Sequence, residues 1–313
     1  MTIQAEMTEA EMLAETRAFN QALEQALALL PNVQDVPPEV SRRARREGRG
    51  VFPSPVFLDN ARTESAGGVP VRIFEPPDPQ GAYLHIHGGG WVLGAADLQD
   101  ELLWALAQES RLTVVSVDYR LAPEHPYPAG ADDCEAAALW FLDQYEGRLT
   151  IGGDSAGAHL AVVTLLRLRD RHGISPRTFA AANLVFGGFD LTGTPSRRLW
   201  GDRNLVLSSA NMDWFAECFL PGMSERERQS PEISPLFADL HDLPPALFSS
   251  GTLDPLLDDS LFMEARWRAA GNDTTLSLWA EGVHGYVLFP LEIARRSRAE
   301  QNAFLRGVVP APT

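Results

Sequence analysis

The chain contains no lysine; all 26 of its basic residues are arginine. That excludes Schiff-base chemistry, covalent pyridoxal attachment and a lysine-bearing phosphate loop. Cysteine is nearly missing too. Cys134 and Cys218 lie far apart with no C-x-x-C spacing, so neither a zinc site nor a disulfide framework is expected. Each stands in an apolar, helix-like stretch and reads as a buried free thiol. Positive charge is scarce: 42 acidic residues leave a net charge of −16. Nucleic acid and anionic membrane are poor partners for such a chain, because both need a basic footprint. Apolar runs long enough to span a membrane are absent. The start, "MTIQAEMTEAEM", has neither the basic opening nor the apolar segment of a signal peptide. A cytoplasmic location is therefore expected. The one basic stretch, "SRRARREGRG" at 41–50, is expected to be a solvated helix end leading into a linker rather than an anion site.

What remains is ample for a large core: 313 residues, 45% of them hydrophobic. That suits one sizeable α/β domain with an accessory piece. Residues 8–30 repeat apolar positions at helical spacing and stop before Pro31, and a short helix is expected near 38–47. "PVFLDN" and "GVPVRIFEP" then read as strands. From "AYLHIH" onward, strand-like runs alternate with amphipathic helices to the C-terminus. This alternation predicts a mostly parallel central sheet with helices on both faces. The interval 190–232 breaks the rhythm and holds Trp200, Trp214 and Phe215. A long ordered insertion of this kind suits a lid over the carboxyl edge of the sheet, where ligands bind in such folds.

Four stretches carry chemistry. In "RLTIGGDSAGAHL", a strand runs into Ser155 and a helix runs out of it, with Gly153 and Gly157 on either side. That is the setting of a nucleophile elbow. The start of the following helix offers unpaired N–H groups and a positive dipole end, which favour an oxyanion. In "HIHGGGW", three glycines let the backbone curl so that the N–H groups of Gly88 and Gly89 face a cleft, where they join that of Ala156 as an oxyanion hole. His87 reads as a loop-orienting side chain. Of seven histidines, His284 lies beyond the last predicted strand, the place of the base when the chain order is serine, acid, histidine. Asp254 is the first carboxylate after the strand "ALFSS"; Asp258 and Asp259 are its rivals. Trp91, His159, Trp214 and Phe215 are candidates for the substrate pocket. No metal or cofactor is called for by this chemistry.

Together these stretches resemble the hormone-sensitive-lipase-like branch of the α/β-hydrolases, the bacterial family IV esterases. The resemblance rests on His87-Gly88-Gly89-Gly90, Gly153-Asp154-Ser155-Ala156-Gly157, Asp254-Pro255-Leu256, His284-Gly285-Tyr286 and "DYRLAPEHPYPA" at 118–129. It runs from about residue 50 to the C-terminus. It implies an α/β-hydrolase core at 51–189 and 233–313. A helical cap would combine 1–50 with the insertion at 190–232. It also implies a carboxylesterase acting on short- to medium-chain acyl esters through a Ser155–His284–Asp254 triad and an acyl-enzyme. Arg120 and Glu124 would brace loops beneath the site. The partner is then a small-molecule ester, and the state a monomer or homodimer. Ala158-His159 and Tyr286 depart from the family's Gly-Asn and Phe. An amidase or arylformamidase would use the same triad. A binding protein on this fold, like the plant gibberellin receptor, typically lacks the histidine that His284 supplies here.

Overall fold

Short runs of buried aliphatic residues build the centre of an eight-stranded sheet in a computed structural model that describes residues 7–307. Residues 1–6 and 308–313, the outer ends of the expected cap and core, lie outside the described residues. The strands are β1 (Arg62–Ala66), β2 (Val69–Phe74), β3 (Gly81–Ile86), β4 (Thr113–Val117), β5 (Arg148–Asp154), β6 (Ala181–Val185), β7 (Ala246–Leu253) and β8 (Thr274–Val283). Their order across the sheet is β1-β2-β4-β3-β5-β6-β7-β8. β1 and β2 pair antiparallel with their neighbours, and the remaining strands are parallel.

The helices are α1 (Glu9–Leu27), α2 (Pro38–Arg46), α3 (Asp100–Ser110), α4 (Ala129–Gln144), α5 (Ala156–His172), α6 (Pro195–Trp200), α7 (Ser209–Phe219), α8 (Glu225–Arg228), α9 (Leu257–Ala269) and α10 (Glu292–Arg306). Strand residues alternate between two cores because successive side chains leave opposite faces of a strand. Ile73, Leu84, Val115 and Val117 join Phe141 of α4, Leu165 of α5 and Trp267 of α9 on one face. Phe74, Tyr83 and Val114 join Leu103 of α3 and Leu305 of α10 on the other. Both faces are thus covered, which is why β4 is buried at every position.

The expectation at one edge is corrected. "PVFLDN" is not a strand; the Leu58 N–H donates to Asp100 and its carbonyl accepts from Arg72. Side chains thus take the backbone bonds that a sheet would need. The edge is β1 instead, "RTESA", exposed at four of five positions. A polar edge strand suits solvent and lacks the apolar alternation by which strands are recognised.

α1 starts in a capping box between Thr8 and Glu11. It docks at the other edge of the sheet: Arg17 pairs with Glu281 at 3.0 Å, and the Asn20 amide donates to the Glu281 carbonyl at 2.8 Å. The interval between β6 and β7 holds α6, α7 and α8 where one helix was expected. Glu24 of α1 pairs with Arg203 of this interval at 3.0 Å. Val33 packs beside Met212, Trp214 and Phe215 of α7. The N-terminal segment and the insertion therefore meet one another.

Candidate active site

The strand order determines where a site forms. From β3 the chain crosses to β4 on one side; from β5 it crosses to β6 on the other. The carboxyl ends of β3 and β5 therefore open a crevice at the switch point, the place where open α/β sheets bind ligands. Ile86 and Gly153 are register partners there. The glycine loop after β3 thus starts beside the serine turn after β5.

That turn is tight. Ser155 has φ 55° and ψ −117°, a backbone conformation that L-residues rarely adopt. Its N–H is held by the Val185 carbonyl at 2.9 Å. A Cβ at Gly153 would lie 2.0 Å from the Ile86 carbonyl oxygen, and one at Gly157 only 1.9 Å from it. Only glycine allows the elbow to sit this close to β3. The strain at Ser155 is sustained by this packing, as is usual where a reactive group is held clear of its backbone.

The Ser155 hydroxyl donates to His284 Nε2 at 2.8 Å. The other ring nitrogen, Nδ1, donates to Asp254 Oδ2 at 2.9 Å. Asp254 is 2% exposed and His284 5%. The second Asp254 oxygen accepts the Leu256 N–H at 2.8 Å, which fixes the carboxylate plane. His284 reaches across from β8 because the end of that strand is irregular. The β7–β8 register shifts between Gly251 and Leu253, and Glu281 has φ 59°. Phe186 packs on the imidazole with centroids 4.8 Å apart.

The rival carboxylates have other employment. Asp258 accepts the Ser196 N–H at 2.7 Å. Asp259 is fully buried and accepts from the Phe189 and Asp190 N–H groups and the Thr194 hydroxyl. Burial pushes its carboxyl up to about 7 despite those three bonds.

Gly89, Ser155, Ala156 and His284 border one cavity of about 240 Å³. Gly88 borders the adjoining cavity, of about 290 Å³. A Cβ on Gly88 would meet the Asp154 carboxylate at 2.3 Å, so the loop lies flat against the elbow. His87 donates from Nδ1 to the Gly88 carbonyl at 2.8 Å and stacks on Tyr119. The Tyr119 hydroxyl in turn donates to the His87 carbonyl at 2.9 Å. Asp154 is held by the Gln99 amide at 3.2 Å and by His85 at 3.6 Å. Burial works to raise its carboxyl, but these partners outweigh it and leave it below its ordinary value.

Of the four aromatic pocket candidates, Trp91 and Phe215 line the cavity with the serine. His159 and Trp214 are not among its lining residues. His159 stands behind Trp91, accepting from the indole N–H at 3.1 Å and donating to the Ile233 carbonyl at 2.7 Å. Burial pushes it down to about 4, so it is a neutral strut. Trp214 lies against Phe215 on the far side. Tyr286 is turned away as well, its hydroxyl 2.7 Å from Ser297. Arg120 pairs with Asp133, and Glu124 with Arg42 of α2.

Sequence reasoning missed Leu30, Val33, Arg45 and Phe52, all of which face the cavity from the N-terminal segment. The signal for Arg45 was the arginine cluster itself, whose helical phase turns Arg42 and Arg45 toward the body of the protein, Arg45 into the cavity. Among the described residues, no group of His, Cys, Asp and Glu is placed to hold a metal ion, and no helix is long and apolar enough to cross a membrane.

A family model described as an alpha/beta hydrolase fold matches residues 83–288. Carboxylesterase NlhH of Mycobacterium tuberculosis is 37% identical over 242 residues, covering 74% of this chain and 75% of that protein. An acetyl esterase of Salmonella paratyphi B is 31% identical over 229 residues, 71% of this chain and 70% of that one. Among solved structures, a hyperthermophilic esterase from the archaeon Pyrobaculum calidifontis superposes with a TM-score of 0.83 at 31% identity, covering 93% of this chain and 97% of its own. A hormone-sensitive lipase from a metagenome library superposes with a TM-score of 0.84 at 28% identity, over 94% and 98%.

Proposed function

The chain belongs to the hormone-sensitive-lipase-like esterases of the alpha/beta-hydrolase family, and from that premise we propose that Ser155, His284 and Asp254 are the triad of its carboxylesterase activity. It is a hydrolase of carboxylic esters. The observation that carries the residue roles is the unbroken relay from Ser155 Oγ through both nitrogens of His284 to Asp254, at 2.8 and 2.9 Å.

In this reading His284 takes the Ser155 proton as the oxygen attacks the ester carbonyl. Asp254 holds the imidazole tautomer and stabilises the imidazolium without taking the proton itself. The N–H groups of Gly89 and Ala156, which border the cavity with Ser155, bind the tetrahedral oxyanion, each worth roughly 10²–10³ in kcat; Gly88, expected beside them, borders the adjoining cavity instead. The protonated His284 then gives its proton to the departing alcohol. Water attacks the acyl-enzyme by the same route, with His284 again as base, and releases the acid.

Residues 7–50 and the interval 190–232 form the cap, a reading supported by the Glu24–Arg203 pair and the Val33–Phe215 packing. A cavity of about 240 Å³ walled by Trp91, Phe215 and Met212 suits short- to medium-chain acyl groups. The test is hydrolysis of p-nitrophenyl esters, acetate through octanoate, beside the matching anilides. Ester cleavage that declines at longer chains, and that Ser155→Ala reduces at least about 10⁴-fold, supports the reading. Faster cleavage of anilides would move the chain to the amidases. Undiminished turnover by Ser155→Ala would remove the serine from its role.

A further inference from the structure

Five arginines crowd residues 41–50. Arg42 is bonded to Glu124 and to the Val92 and Ala122 carbonyls. Arg46 pairs with Asp97 at 2.9 Å, Arg49 pairs with Glu47, and Arg43 is exposed to solvent. The fifth, Arg45, turns inward from the last turn of α2 and is half-buried. Its guanidinium lies over Phe52, 4.6 Å from the ring centroid. It lines the cavity that holds Ser155 and His284. Phe52 itself abuts Gly285, where a Cβ would be 3.4 Å from the ring edge. One ring therefore separates the guanidinium from the residue next to His284.

Each other charged side chain on this cavity wall has a polar partner. Arg197 pairs with Asp213 at 2.9 Å. Asp190 accepts the Thr192 N–H and hydroxyl. Asp154 is held by Gln99 and His85. Arg45 makes no hydrogen bond or ion pair among the described residues; Asp154 attracts it without bonding to it, and burial works against its charge. A guanidinium carries five donors and does not lose its proton in proteins. Its donors stay open to the cavity, since none of its nitrogens is sealed from solvent. In so confined a space an anion brought by the ligand is attracted more strongly than in bulk water, and a carboxylate fits a guanidinium through two parallel bonds.

We infer that Arg45 is a specificity-determining residue that selects esters carrying a free carboxylate on the acyl or the alcohol arm. The inference rests on the ester-hydrolase reading above. The net charge of −16 does not oppose it strongly. Surface charges act through water and are screened beyond about 8–10 Å at physiological ionic strength, whereas Arg45 would touch the anion.

The test compares kcat/KM for mono-p-nitrophenyl glutarate with p-nitrophenyl valerate, and for 4-acetoxybenzoate with phenyl acetate. The first pair places the carboxylate on the acyl arm, the second on the alcohol arm. Intrinsic reactivities cancel when wild type is compared with Arg45→Met and Arg45→Glu. On one of the two arms, the anionic-to-neutral ratio should fall about 10- to 100-fold in Arg45→Met and further in Arg45→Glu. An unchanged ratio on both arms, in variants that melt like wild type, overturns the inference. A measurement without variants protects against misfolding: glutarate should inhibit wild type at least about tenfold more tightly than valerate, and equal or weaker inhibition overturns it. Failure of wild type to cleave even the neutral esters would sink the ester reading instead, and the glutarate comparison would still report on Arg45.

Discussion

Replacing Asp254 by asparagine changes one atom and should nearly silence the enzyme. Asp254 gives one oxygen to the Leu256 N–H at 2.8 Å and the other to His284 Nδ1 at 2.9 Å. Asparagine has a single acceptor oxygen. If that oxygen stays with Leu256, its NH₂ faces His284 Nδ1, and two donors cannot bond. The imidazole must then carry its proton on Nε2, where the lone pair facing Ser155 is needed. With the base lost in this way, kcat should fall roughly 10⁴-fold, about 5 kcal/mol of transition-state stabilisation. The amide has one escape. Flipped, it keeps His284 in the working tautomer but leaves the Leu256 N–H facing an NH₂, at roughly 1–3 kcal/mol. That sets a floor of about fivefold on the loss. The assay is kcat on p-nitrophenyl butyrate, with thermal melting to establish that the variant is folded. A folded Asp254→Asn losing less than about fivefold would refute the relay. Asp258→Asn is the control, because the Asp258 carboxylate accepts the Ser196 N–H and its own N–H donates to the Ser196 hydroxyl, away from His284; a larger loss there would show that the wrong carboxylate has been assigned.

Two further predictions concern the scaffold. Gly157→Ala places a Cβ 1.9 Å from the Ile86 carbonyl oxygen, so β3 and the start of α5 must separate. Urea melts should show roughly 3 kcal/mol or more of lost stability together with lost turnover, and wild-type stability would contradict the close approach. Asp259 has a folded pKa of about 7 against an ordinary 3.8, because of its burial. The folded state therefore binds the proton more tightly than the unfolded chain. The favourable contribution is complete below about pH 4 and is lost as pH rises through about 7. Asp259→Asn keeps a neutral amide in place throughout, so its melting temperature relative to wild type should climb between pH 4 and pH 8. A difference that stays flat over that range would refute the burial argument.

Much of this was legible in the sequence because it depends on local chemistry. The strand–turn–helix context of Ser155 needs only its glycine neighbours, and those glycines meet the Ile86 carbonyl as a tight elbow requires. β4, buried throughout, reads as a strand because its five residues are apolar or small. β1 escaped notice because an edge strand in water has no apolar alternation to reveal it. His159 and Trp214 were placed one layer too far in. Helical spacing says which residues share a face with Ser155, but not that Trp91 stands between His159 and the cavity. Arg45 was grouped with its neighbours as solvent-facing, and its exception depends on Phe52 and on where α2 docks.

The sequence by itself determined the available chemistry: a serine on a strained turn, glycine-borne amides, late-chain histidine and aspartate, and neither lysine nor paired cysteine. It also determined the parallel architecture, since alternating strand and helix patterns are local properties of the chain. Only the tertiary structure decided which carboxylate meets the imidazole, which aromatics wall the cavity, and which of five arginines lines the cavity with Ser155. Those outcomes turn on distances of an ångström or two between residues far apart in the chain. They are set by the β7–β8 register shift, the bend at Glu281 and the docking of the N-terminal helices, which are products of packing and leave no periodic trace in the sequence.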